Sequence, residues 1–369
     1  MKILAVIGTR PEAIKMLPLI IELKKYRDFE VLICSSGQHG DILKCVFDYF
    51  NIEPDFSFCA MKKGQSLSRL TTRLLNYFDA LLDKISPDLL LAHGDTTTAF
   101  CASLSAFYKG IKIAHVEAGL RTYDKRSPFP EELNRVTIDA LADLHFAPTQ
   151  LSRSRLEKEG RGSVFVVGNT GIDALSYTLD NNYVLPVSNK EANKKILLVT
   201  THRRENIGSK MRSSLLAVRD ILEYRNDFFA VFPVHPNPAV RAEAISVFEG
   251  IKNIKICEPL TLYDFHNILA RAFAVFTDSG GIQEEASFLG VPVFLLRDTT
   301  EREEGMVSGN IRLVGTDRKR IFEDFLRVSE SEEELSKMRS RSFAFGDGHA
   351  CEKIVKILLP LSKNNDIIK

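Results

Sequence analysis

The sequence predicts an α/β protein with two Rossmann-like, doubly wound domains that face a cleft. Short apolar runs rich in β-branched residues alternate with longer helical patterns, which indicates parallel sheets covered by helices on both faces. The alternation stops once, in a polar segment at about residues 180–194, and then starts again. A chain of 369 residues is long enough for two such domains, each with its own core.

The first half of the chain supplies the first sheet. Its opening strand ends in a turn at Gly8, and Pro11 is placed to begin a helix that runs to about Lys25. A long amphipathic helix is expected at about residues 66–85. Strands are predicted at residues 3–7, 31–34, 88–92, 112–116, 144–147 and 164–167.

The second half repeats the pattern after the polar segment. We expect an N-terminal domain over residues 1–178, a linker over residues 179–194 and a C-terminal domain over residues 195–348. A last helix, in about residues 349–369, is expected to pack back on the first domain. Strands of the second sheet are predicted at residues 196–200, 228–232, 254–256, 274–276, 293–295 and 312–314.

Composition indicates a cytoplasmic enzyme without a nucleic-acid or membrane partner. The 49 basic and 48 acidic residues nearly cancel, so no overall field attracts a polyanion. No apolar run reaches the roughly 18 residues of a membrane span, and the N-terminus lacks signal-peptide features. The six cysteines are scattered and are expected to be reduced and mostly buried. No His or Cys spacing predicts a metal site.

The turn after the strand at residues 274–276 is the strongest ligand signal. Ser279, Gly280 and Gly281 open a helix, and its N-terminal amides could hold a phosphate. The alternative, about equally probable from the motif alone, is an ordinary turn with Ser279 as the helix N-cap. The carboxylates of Glu284 and Glu285 would compete with a phosphate unless one of them is directed elsewhere, for example toward ribose hydroxyls.

Charged residues also recur where strands of the first half end. Arg10 and Lys15 follow the first strand, while Asp95 and Glu117 each follow a later one. Glu131 lies four residues before Arg135 on a predicted helix, and taken alone this spacing favours a surface ion pair. Three carboxylates in one cleft would raise at least one pKa into the range of a general acid or base.

In the second half, His202 and Arg203 follow a strand and suggest a diphosphate or leaving-group site. His235 lies in a proline-rich loop, where a histidine satisfied by the backbone is about as probable as a ligand contact. Phe265 has the spacing of a core residue, and its functional interpretation is a stacking surface for a base.

Six motifs together resemble the non-hydrolysing UDP-N-acetylglucosamine 2-epimerases, and the resemblance extends to about Gly348. It implies a glycosyltransferase-B type fold, a homodimer, and interconversion of UDP-N-acetylglucosamine (UDP-GlcNAc) and UDP-N-acetylmannosamine (UDP-ManNAc) without cofactor or metal. The motifs are Gly-Thr-Arg-Pro-Glu-Ala-Ile-Lys-Met at residues 8–16, His-Gly-Asp-Thr-Thr-Thr at 93–98, His-Val-Glu-Ala-Gly-Leu-Arg at 115–121, Pro-Glu-Glu-Leu-Asn-Arg at 130–135, Thr-His-Arg-Arg-Glu at 201–205 and Thr-Asp-Ser-Gly-Gly-Ile-Gln-Glu-Glu-Ala at 277–286.

The resemblance implies elimination of UDP through 2-acetamidoglucal and its re-addition, which supplies ManNAc units for surface polysaccharide such as a capsule. The implied catalytic residues are Asp95, Glu117, Glu131 and His202. The implied substrate-binding residues are Arg10, Lys15, Arg135, Leu260, Phe265, Ser279, Gly280, Gly281, Glu285 and Arg302.

Some relatives bind a second UDP-GlcNAc as an activator. Gln38, His39, Gln65, Arg203 and His235 match that allosteric site, whereas Gly40 and Asp41 replace an arginine and a glutamine. Three other functions remain open: a hydrolysing 2-epimerase that releases UDP and ManNAc, a glycosyltransferase of the same fold, and a catalytically silent nucleotide-sugar sensor. The motif at residues 8–15 favours the non-hydrolysing enzyme, and the three carboxylates argue against a transferase.

Overall fold

The structure is a computed structural model, and it describes residues 1–37, 40–62, 64–187, 191, 193–201, 203, 206–300 and 302–363, with the backbone alone for residues 41 and 42. The chain divides into two compact units. Unit 1 comprises residues 1–174 and the stretch from residue 346 onward, and unit 2 comprises residues 175–345. Each unit contains one parallel sheet with helices between its strands, which confirms the predicted pair of Rossmann-like folds.

Unit 1 is built on a seven-stranded parallel sheet with the order β3-β2-β1-β4-β5-β6-β7. Its central strand β1 pairs with β2 on one side and with β4 on the other, so the chain reverses its direction of winding between β1 and β4. The strands are β1 (Lys2–Ile7), β2 (Glu30–Ser35), β3 (Phe56–Ser57), β4 (Leu89–His93), β5 (Lys112–Val116), β6 (Leu144–Ala147) and β7 (Val164–Val166).

Helices cover both faces of this sheet, and local capping explains where several of them begin. Ser66 accepts a hydrogen bond from the Arg69 amide at the start of α3, and Thr96 accepts one from the Ala99 amide at the start of α4. The helices of unit 1 are α1 (Arg10–Lys24), α2 (Gly40–Tyr49), α3 (Leu67–Ile85), α4 (Thr97–Tyr108), α5 (Glu131–Leu141), α6 (Gln150–Lys158), α7 (Thr170–Asp173) and, from the end of the chain, α16 (Ala350–Lys363).

The last helix α16 packs against α1 within unit 1. Ile354, Val355 and Leu358 are buried on its inner face. The Asp173 carboxylate accepts hydrogen bonds from the Ala350 and Cys351 amides at 3.2 and 2.8 Å. A carboxylate at a helix N-terminus satisfies amides that have no partner within the helix, so Asp173 fixes the start of α16.

Unit 2 contains a six-stranded parallel sheet with the order β10-β9-β8-β11-β12-β13. The central strand β8 pairs with β9 and β11, which places the reversal of winding between β8 and β11. The strands are β8 (Lys195–Thr200), β9 (Phe228–Pro233), β10 (Ile254–Cys257), β11 (Ala274–Thr277), β12 (Val293–Leu295) and β13 (Ile311–Leu313).

A cluster of phenylalanines packs one face of this sheet. The Phe325 ring lies 5.3 Å from the ring centres of Phe228 and Phe294 and 5.4 Å from that of Phe276. The helices of unit 2 are α8 (Leu175–Thr178), α9 (Ser209–Tyr224), α10 (Pro238–Val247), α11 (Leu262–Ala270), α12 (Gly280–Leu289), α13 (Glu303–Val307), α14 (Arg318–Glu330) and α15 (Glu332–Arg339).

The structure differs from the sequence predictions in one strand of unit 1 and in the burial of the cysteines. The short edge strand β3 was not predicted, because two residues are too few to show an alternating pattern. The expectation that most cysteines are buried is wrong: Cys45 and Cys59 are exposed and Cys257 is partly buried. These three occur on a helix surface, in a loop and at a strand end. Among the described residues, no helix is long and apolar enough to cross a membrane.

Candidate active site

The topology of each sheet identifies its ligand-binding edge. In open parallel sheets, ligands bind beyond the carboxyl ends of the strands where the winding reverses. In unit 1 this is the edge formed by the turns after β1 and β4. In unit 2 it is the edge formed by the turns after β8 and β11.

Glu117 is held at the end of β5 by two donors. Lys15, on α1, makes a very short ion pair with Glu117 Oε1. The Asn169 amide donates to the same oxygen at 3.1 Å. The side chains of Lys15 and Glu117 are each only 10% exposed, so this ion pair is largely shielded from solvent. Glu117 also has a left-handed backbone with φ of 67°, a conformation that costs a non-glycine residue free energy and often occurs at functional sites.

The other oxygen of Glu117 faces a neutral histidine. His93 is the last residue of β4, and its Nε2 lies 3.5 Å from Glu117 Oε2. Burial lowers the pKa of His93 to about 3, although the nearby Glu117 charge acts in the opposite direction. The ring is therefore uncharged at neutral pH, and the positive charge beside Glu117 belongs to Lys15.

Two side chains of helix α5 bind the turn that carries Asp95. Arg135 NH2 lies 2.5 Å from Asp95 Oδ2, and the Asn134 amide donates to the Asp95 carbonyl at 2.9 Å. Arg135 also lies 3.3 Å from the buried carboxylate of Glu132, which accepts from the amides of residues 122 and 123. Glu131, the predicted partner of Arg135 by helical spacing, is the first residue of α5 and is half-buried.

Glu12 connects the two turns at this edge. Its carboxylate accepts from the Gly8 and Thr9 amides and the Thr9 hydroxyl, at 3.0, 2.6 and 2.8 Å, and from the Thr96 hydroxyl at 2.8 Å. Complete burial raises the pKa of Glu12 to about 7 even though these four donors favour the charged form. The raised pKa at this edge thus arises from burial, and the predicted effect of crowding among Asp95, Glu117 and Glu131 stays a prediction.

In unit 2, the N-terminus of α12 has the features of an anion site. Ser279 occupies the N-cap position of α12 with an extended backbone, as the alternative interpretation predicted, but its side chain makes no capping hydrogen bond. The guanidinium of Arg302 lies against Gly280, where a Cβ atom would collide with it. Arg302 Nε is held 2.6 Å from Glu284 Oε1. A buried guanidinium, paired with Glu284, therefore lies beside the positive end of the helix dipole.

The two adjacent carboxylates on α12 have separate roles. Glu284 is committed to Arg302. The Glu285 carboxylate, with its side chain 11% exposed, lies 3.7 Å from Nε2 of His266 on α11. The sequence left the direction of the two carboxylates open, and the structure shows that one of them neutralises the arginine while the other does not.

The turns after β8 and β11 are tied together by Asp278. Its carboxylate accepts from the Arg203 amide at 3.0 Å and from the Asn206 side chain at 3.3 Å. Arg203 Nε donates in turn to the Asp278 carbonyl at 3.1 Å. Arg203, which the resemblance assigned to an activator site, is thus also a structural part of the turn that precedes Ser279.

The remaining predicted residues are not part of the clusters described above, or they lie outside the described part of the chain. Leu260 and Phe265 are half-buried on either side of the start of α11, and Arg10 is half-buried at the start of α1. Gln65 donates to the Ala60 carbonyl at 3.1 Å, and His235 accepts from the Asn237 amide at 3.2 Å. Gln38, His39 and His202 lie outside the described residues, as do residues 188–190, 192, 204, 205 and 364–369.

Sequence reasoning missed several residues that hold the site. His93 and Glu12 occur within motifs that were recognised, so their positions at strand ends were an available signal. Asn169 and His266 carried no such signal, because their partners are distant in sequence and meet them only in the fold. In the described ranges, no group of three or more His, Cys, Asp and Glu side chains is arranged as metal ligands would be.

Comparison with known proteins places this geometry in one family. A family profile named UDP-N-acetylglucosamine 2-epimerase matches residues 21–359. The UDP-N-acetylglucosamine 2-epimerase of Bacillus subtilis (strain 168) is 47% identical over 361 residues, which cover 97% of this chain and 95% of the relative.

Solved structures agree with the sequence match. The UDP-GlcNAc 2-epimerase from Neisseria meningitidis bound to UDP-GlcNAc is 40% identical with a TM-score of 0.92, covering 98% of this chain and 100% of that one. An S. aureus MnaA–UDP co-structure is 40% identical with a TM-score of 0.92, covering 99% and 98%. These similarities confirm the predicted glycosyltransferase-B type fold class, and the chain belongs to the UDP-N-acetylglucosamine 2-epimerase family.

Proposed function

We propose that the protein interconverts UDP-GlcNAc and UDP-ManNAc by elimination and re-addition of UDP, without hydrolysis. The observation that carries this proposal is a pair of carboxylates at neighbouring strand ends, each held by its own cation: Glu117 by Lys15 and Asp95 by Arg135. Proton removal from carbon and its return to the opposite face require more than one acid or base, and these carboxylates are the candidates. The non-hydrolysing outcome rests on the motif at residues 8–16.

In the proposed reaction, a carboxylate removes the C2 proton of the sugar. The C2–H electron pair forms a C1=C2 double bond, the C1–O bond breaks, and UDP leaves with the electron pair of the C1–O bond. The product is enzyme-bound 2-acetamidoglucal. A carboxylic acid then protonates C2 on the other face while a UDP oxygen attacks C1. Atoms and charge balance without an oxidant, and no water is consumed.

The three candidate carboxylates have different surroundings. Oε1 of Glu117 is occupied by Lys15 and Asn169, so Oε2 is the oxygen suited to exchange a proton. Asp95 is paired with Arg135, and Glu131 lies in the first turn of α5, where the helix dipole favours a carboxylate. Lys15 is proposed to regulate the charge of this group of carboxylates.

Arg302 and the N-terminus of α12 are proposed to hold the diphosphate of UDP. Ser279, Gly280 and Gly281 offer a hydroxyl and main-chain amides beside that guanidinium. His202, Arg10 and Arg135 are proposed to stabilise the departing diphosphate and to hold the sugar. The Neisseria relative is described as bound to UDP-GlcNAc and the S. aureus structure as a UDP complex, and both support a UDP site in this chain.

The nucleoside is proposed to lie beside α11. The Phe265 ring would stack on the uracil, the Leu260 backbone would contact the base, and Glu285 would accept hydrogen bonds from the ribose hydroxyls. Phe265 and Leu260 are half-buried, which leaves part of each accessible to a ligand. Glu285 suits the ribose because its neighbour Glu284 already neutralises Arg302.

The homodimer and the supply of ManNAc units for a surface polysaccharide are proposed from the resemblance. The cytoplasmic location is proposed from the composition, and the domain boundaries at residues 178, 194 and 348 from the pattern of strands, helices and polar residues. Activation by a second UDP-GlcNAc through Gln38, His39, Gln65, Arg203 and His235 is also proposed. A sigmoidal rate curve with UDP-GlcNAc, together with a lag from the UDP-ManNAc side, is the expected sign of activation, and a hyperbolic curve without a lag would contradict it.

Proton NMR of the purified protein with UDP-GlcNAc in D₂O, without added cofactor, tests the reaction. We expect UDP-ManNAc to appear and deuterium to enter C2 of both epimers. Accumulation of UDP with free ManNAc would instead identify a hydrolysing 2-epimerase. An unchanged sugar would contradict epimerisation of this substrate and favour a transferase or a sensor.

Variants at the two ion-paired carboxylates assign the chemistry. Glu117→Gln and Asp95→Asn keep side-chain size but remove the basic oxygen, so each should abolish deuterium entry at C2 while UDP still binds. Glu157→Gln is the control, because this glutamate lies in an exposed pair with Arg153. Full activity in both site variants would contradict the proposed acid–base roles.

A further inference from the structure

His266 is a buried histidine of unit 2 that the proposed reaction does not use. Its ring is 1% exposed and lies on α11, next to Phe265 in sequence. One ring nitrogen faces Thr178 and the other faces Glu285. Both neighbours are themselves buried, so the ring connects α8 to the carboxylate on α12.

Hydrogen bonding determines which ring nitrogen carries the proton. The Thr178 hydroxyl lies 2.7 Å from His266 Nδ1 and 3.3 Å from the Leu175 carbonyl oxygen. The single hydroxyl proton can go to the Leu175 carbonyl oxygen or to Nδ1. Because the Glu285 carboxylate beside Nε2 can only accept, a neutral ring that donates to Glu285 requires Thr178 to donate to Nδ1. A neutral ring then carries its own proton at Nε2, on the side of Glu285.

Thr178 is itself fixed in position. Its carbonyl accepts from the Asn267 side chain at 2.7 Å, and Asn267 Oδ1 accepts from the Asp180 amide at 2.9 Å. The Arg271 guanidinium donates to the Asp180 carbonyl at 2.6 Å. The chain that follows α8 is therefore attached to α11 at several points, and the orientation of the His266 ring is imposed by this attachment.

Glu285 needs a donor on its inner side. Among the residues that the structure describes, His266 is the only basic side chain within 4 Å of its carboxylate. A largely buried carboxylate without a donor would rotate toward other donors, and that change would reduce its ability to accept hydrogen bonds from a ligand. At 3.7 Å, Nε2 is within a small side-chain rotation of a hydrogen bond to Glu285 Oε2.

We propose that His266, oriented by Thr178, is a positioning residue that holds Glu285 as a charged acceptor and thereby sets the preference for a ribose with free hydroxyls. This inference rests on the proposed UDP site and on the proposed contact of Glu285 with ribose. His266 acts only through Glu285 and contributes nothing to the hold on uracil or diphosphate. Its loss should therefore weaken binding only of ligands that carry the ribose hydroxyls.

Calorimetric titration with two ligands isolates this effect. UDP carries both ribose hydroxyls, and 2′,3′-dideoxy-UDP carries neither. The dissociation constant of 2′,3′-dideoxy-UDP divided by that of UDP measures the contribution of the hydroxyls, in the wild type and in each variant. We call this quotient the ratio. His266→Met removes the donor, whereas His266→Gln keeps an N–H at a similar distance from the backbone.

For His266→Met we expect UDP affinity to fall about tenfold, the size expected for one hydrogen bond to a charged group, with dideoxy-UDP affinity unchanged. His266→Gln should restore most of the loss. Thr178→Val, which removes only the hydroxyl that orients Nδ1, should lower the ratio by a smaller factor and gives a second route if His266→Met fails to fold. The exposed His349→Gln is the control and should leave the ratio unchanged.

Glu285→Gln separates failure of the inference from failure of the proposed function. If the wild type binds neither ligand, or if Glu285→Gln leaves the ratio unchanged, the proposed UDP site or ribose contact is wrong. If Glu285→Gln reduces the ratio to about one but the folded His266→Met and Thr178→Val variants keep the wild-type ratio, the role of His266 is overturned. Equal weakening of both ligands by His266→Met would likewise overturn it, because the ring would then act only by packing.

Discussion

His115 and Asp139 form a fully buried pair in unit 1, with ring Nδ1 2.6 Å from Asp139 Oδ1. The second ring nitrogen, Nε2, lies 2.7 Å from the carbonyl oxygen of Gly94. A carbonyl oxygen and a charged carboxylate can only accept, so each ring nitrogen faces an acceptor. Burial acts to raise the pKa of Asp139, but the charges of His115 and Arg121 outweigh it and the pKa is lowered.

The same carboxylate also contacts a second turn at this edge of the sheet. Asp139 Oδ2 lies 2.7 Å from Arg121 NH1 and accepts from the Gly119 amide at 3.2 Å. Arg121 is held in turn by two hydrogen bonds to Glu159, at 2.8 and 2.7 Å. One buried ion network therefore positions the turn before Asp95 and the turn after Glu117, the two carboxylates of the proposed chemistry.

Asp139→Asn should destabilise the protein strongly. Removing one partner of a buried ion pair leaves the others uncompensated, and we expect the free energy of unfolding to fall by about 3–5 kcal/mol in urea denaturation. The exposed Glu157→Gln, which breaks a surface pair, should change it by less than about 1 kcal/mol. Equal effects of the two substitutions would show that the buried network does not stabilise unit 1.

The backbone of Glu117 gives a second prediction, one that compares two substitutions. Both Glu117→Ala and Glu117→Gly remove the ion pair with Lys15, but only glycine adopts a φ of 67° without strain. Glu117→Gly should therefore be the more stable variant by about 1–2 kcal/mol. Equilibrium urea unfolding of both variants measures this difference, and an alanine variant as stable as the glycine variant would show that residue 117 bears no backbone strain.

The sequence predicted the sheets well because their pattern is local. Each buried strand such as Ile3 to Ile7 is a short apolar run, and the residue types after it mark the ligand-binding edge. The ion pair of Lys15 with Glu117 joins two residues that were both selected for their positions at strand ends. Strand ends of a parallel sheet meet at one edge, which explains why two residues selected at such ends lie close together in the structure.

The supporting residues could not be predicted in this way. Asp139 lies in the middle of α5 and looks like a solvent-facing residue, but it is fully buried because His115 and Arg121 neutralise it. Helical spacing suggested only Glu131 as a partner of Arg135, and the contacts of Arg135 with Asp95 and Glu132 depend on how α5 packs on the sheet. Tertiary contacts of this kind override spacing rules, since burial makes a charged partner obligatory.

The raised pKa of Glu12 leads us to expect that the stability of the protein depends on pH. Its pKa is about 7 in the folded protein and 4.5 in the unfolded chain, because burial favours the neutral acid. A raised carboxyl pKa contributes stability fully below pH 4.5, and this contribution is lost as the pH rises through about 7. The interval between the two values corresponds to roughly 3 kcal/mol.

Glu12→Gln removes this titration but keeps a carbonyl oxygen that can accept from the turn amides. The variant's free energy of unfolding, relative to that of the wild type, should therefore rise by roughly 3 kcal/mol between pH 5 and pH 8. Urea unfolding at several pH values measures the difference, in which the titration of all other groups cancels. The same series for Glu157→Gln should be flat. A constant difference for Glu12→Gln would mean that Glu12 is charged throughout this range.

Gly280 and Gly281 offer a matched pair of substitutions at the proposed diphosphate site. A Cβ at residue 280 collides with the Arg302 guanidinium, whereas a Cβ at residue 281 meets nothing within 4 Å. Both positions lie in the first turn of α12, where alanine is a better helix former than glycine by up to about 1 kcal/mol. Gly281→Ala should therefore be at least as stable as the wild type.

Gly280→Ala must instead displace Arg302 from the helix N-terminus and disturb its pair with Glu284. UDP affinity, measured by calorimetric titration, should fall about tenfold or more, which is the loss expected for one charge-assisted contact. Arg302→Lys tests the same contact from the other side: it keeps the charge but loses the planar guanidinium that lies against Gly280, and should weaken UDP binding to a similar degree. If Gly280→Ala bound UDP as tightly as the wild type, the position of Arg302 against Gly280 would be irrelevant to the ligand, and the diphosphate would have to be held by other residues.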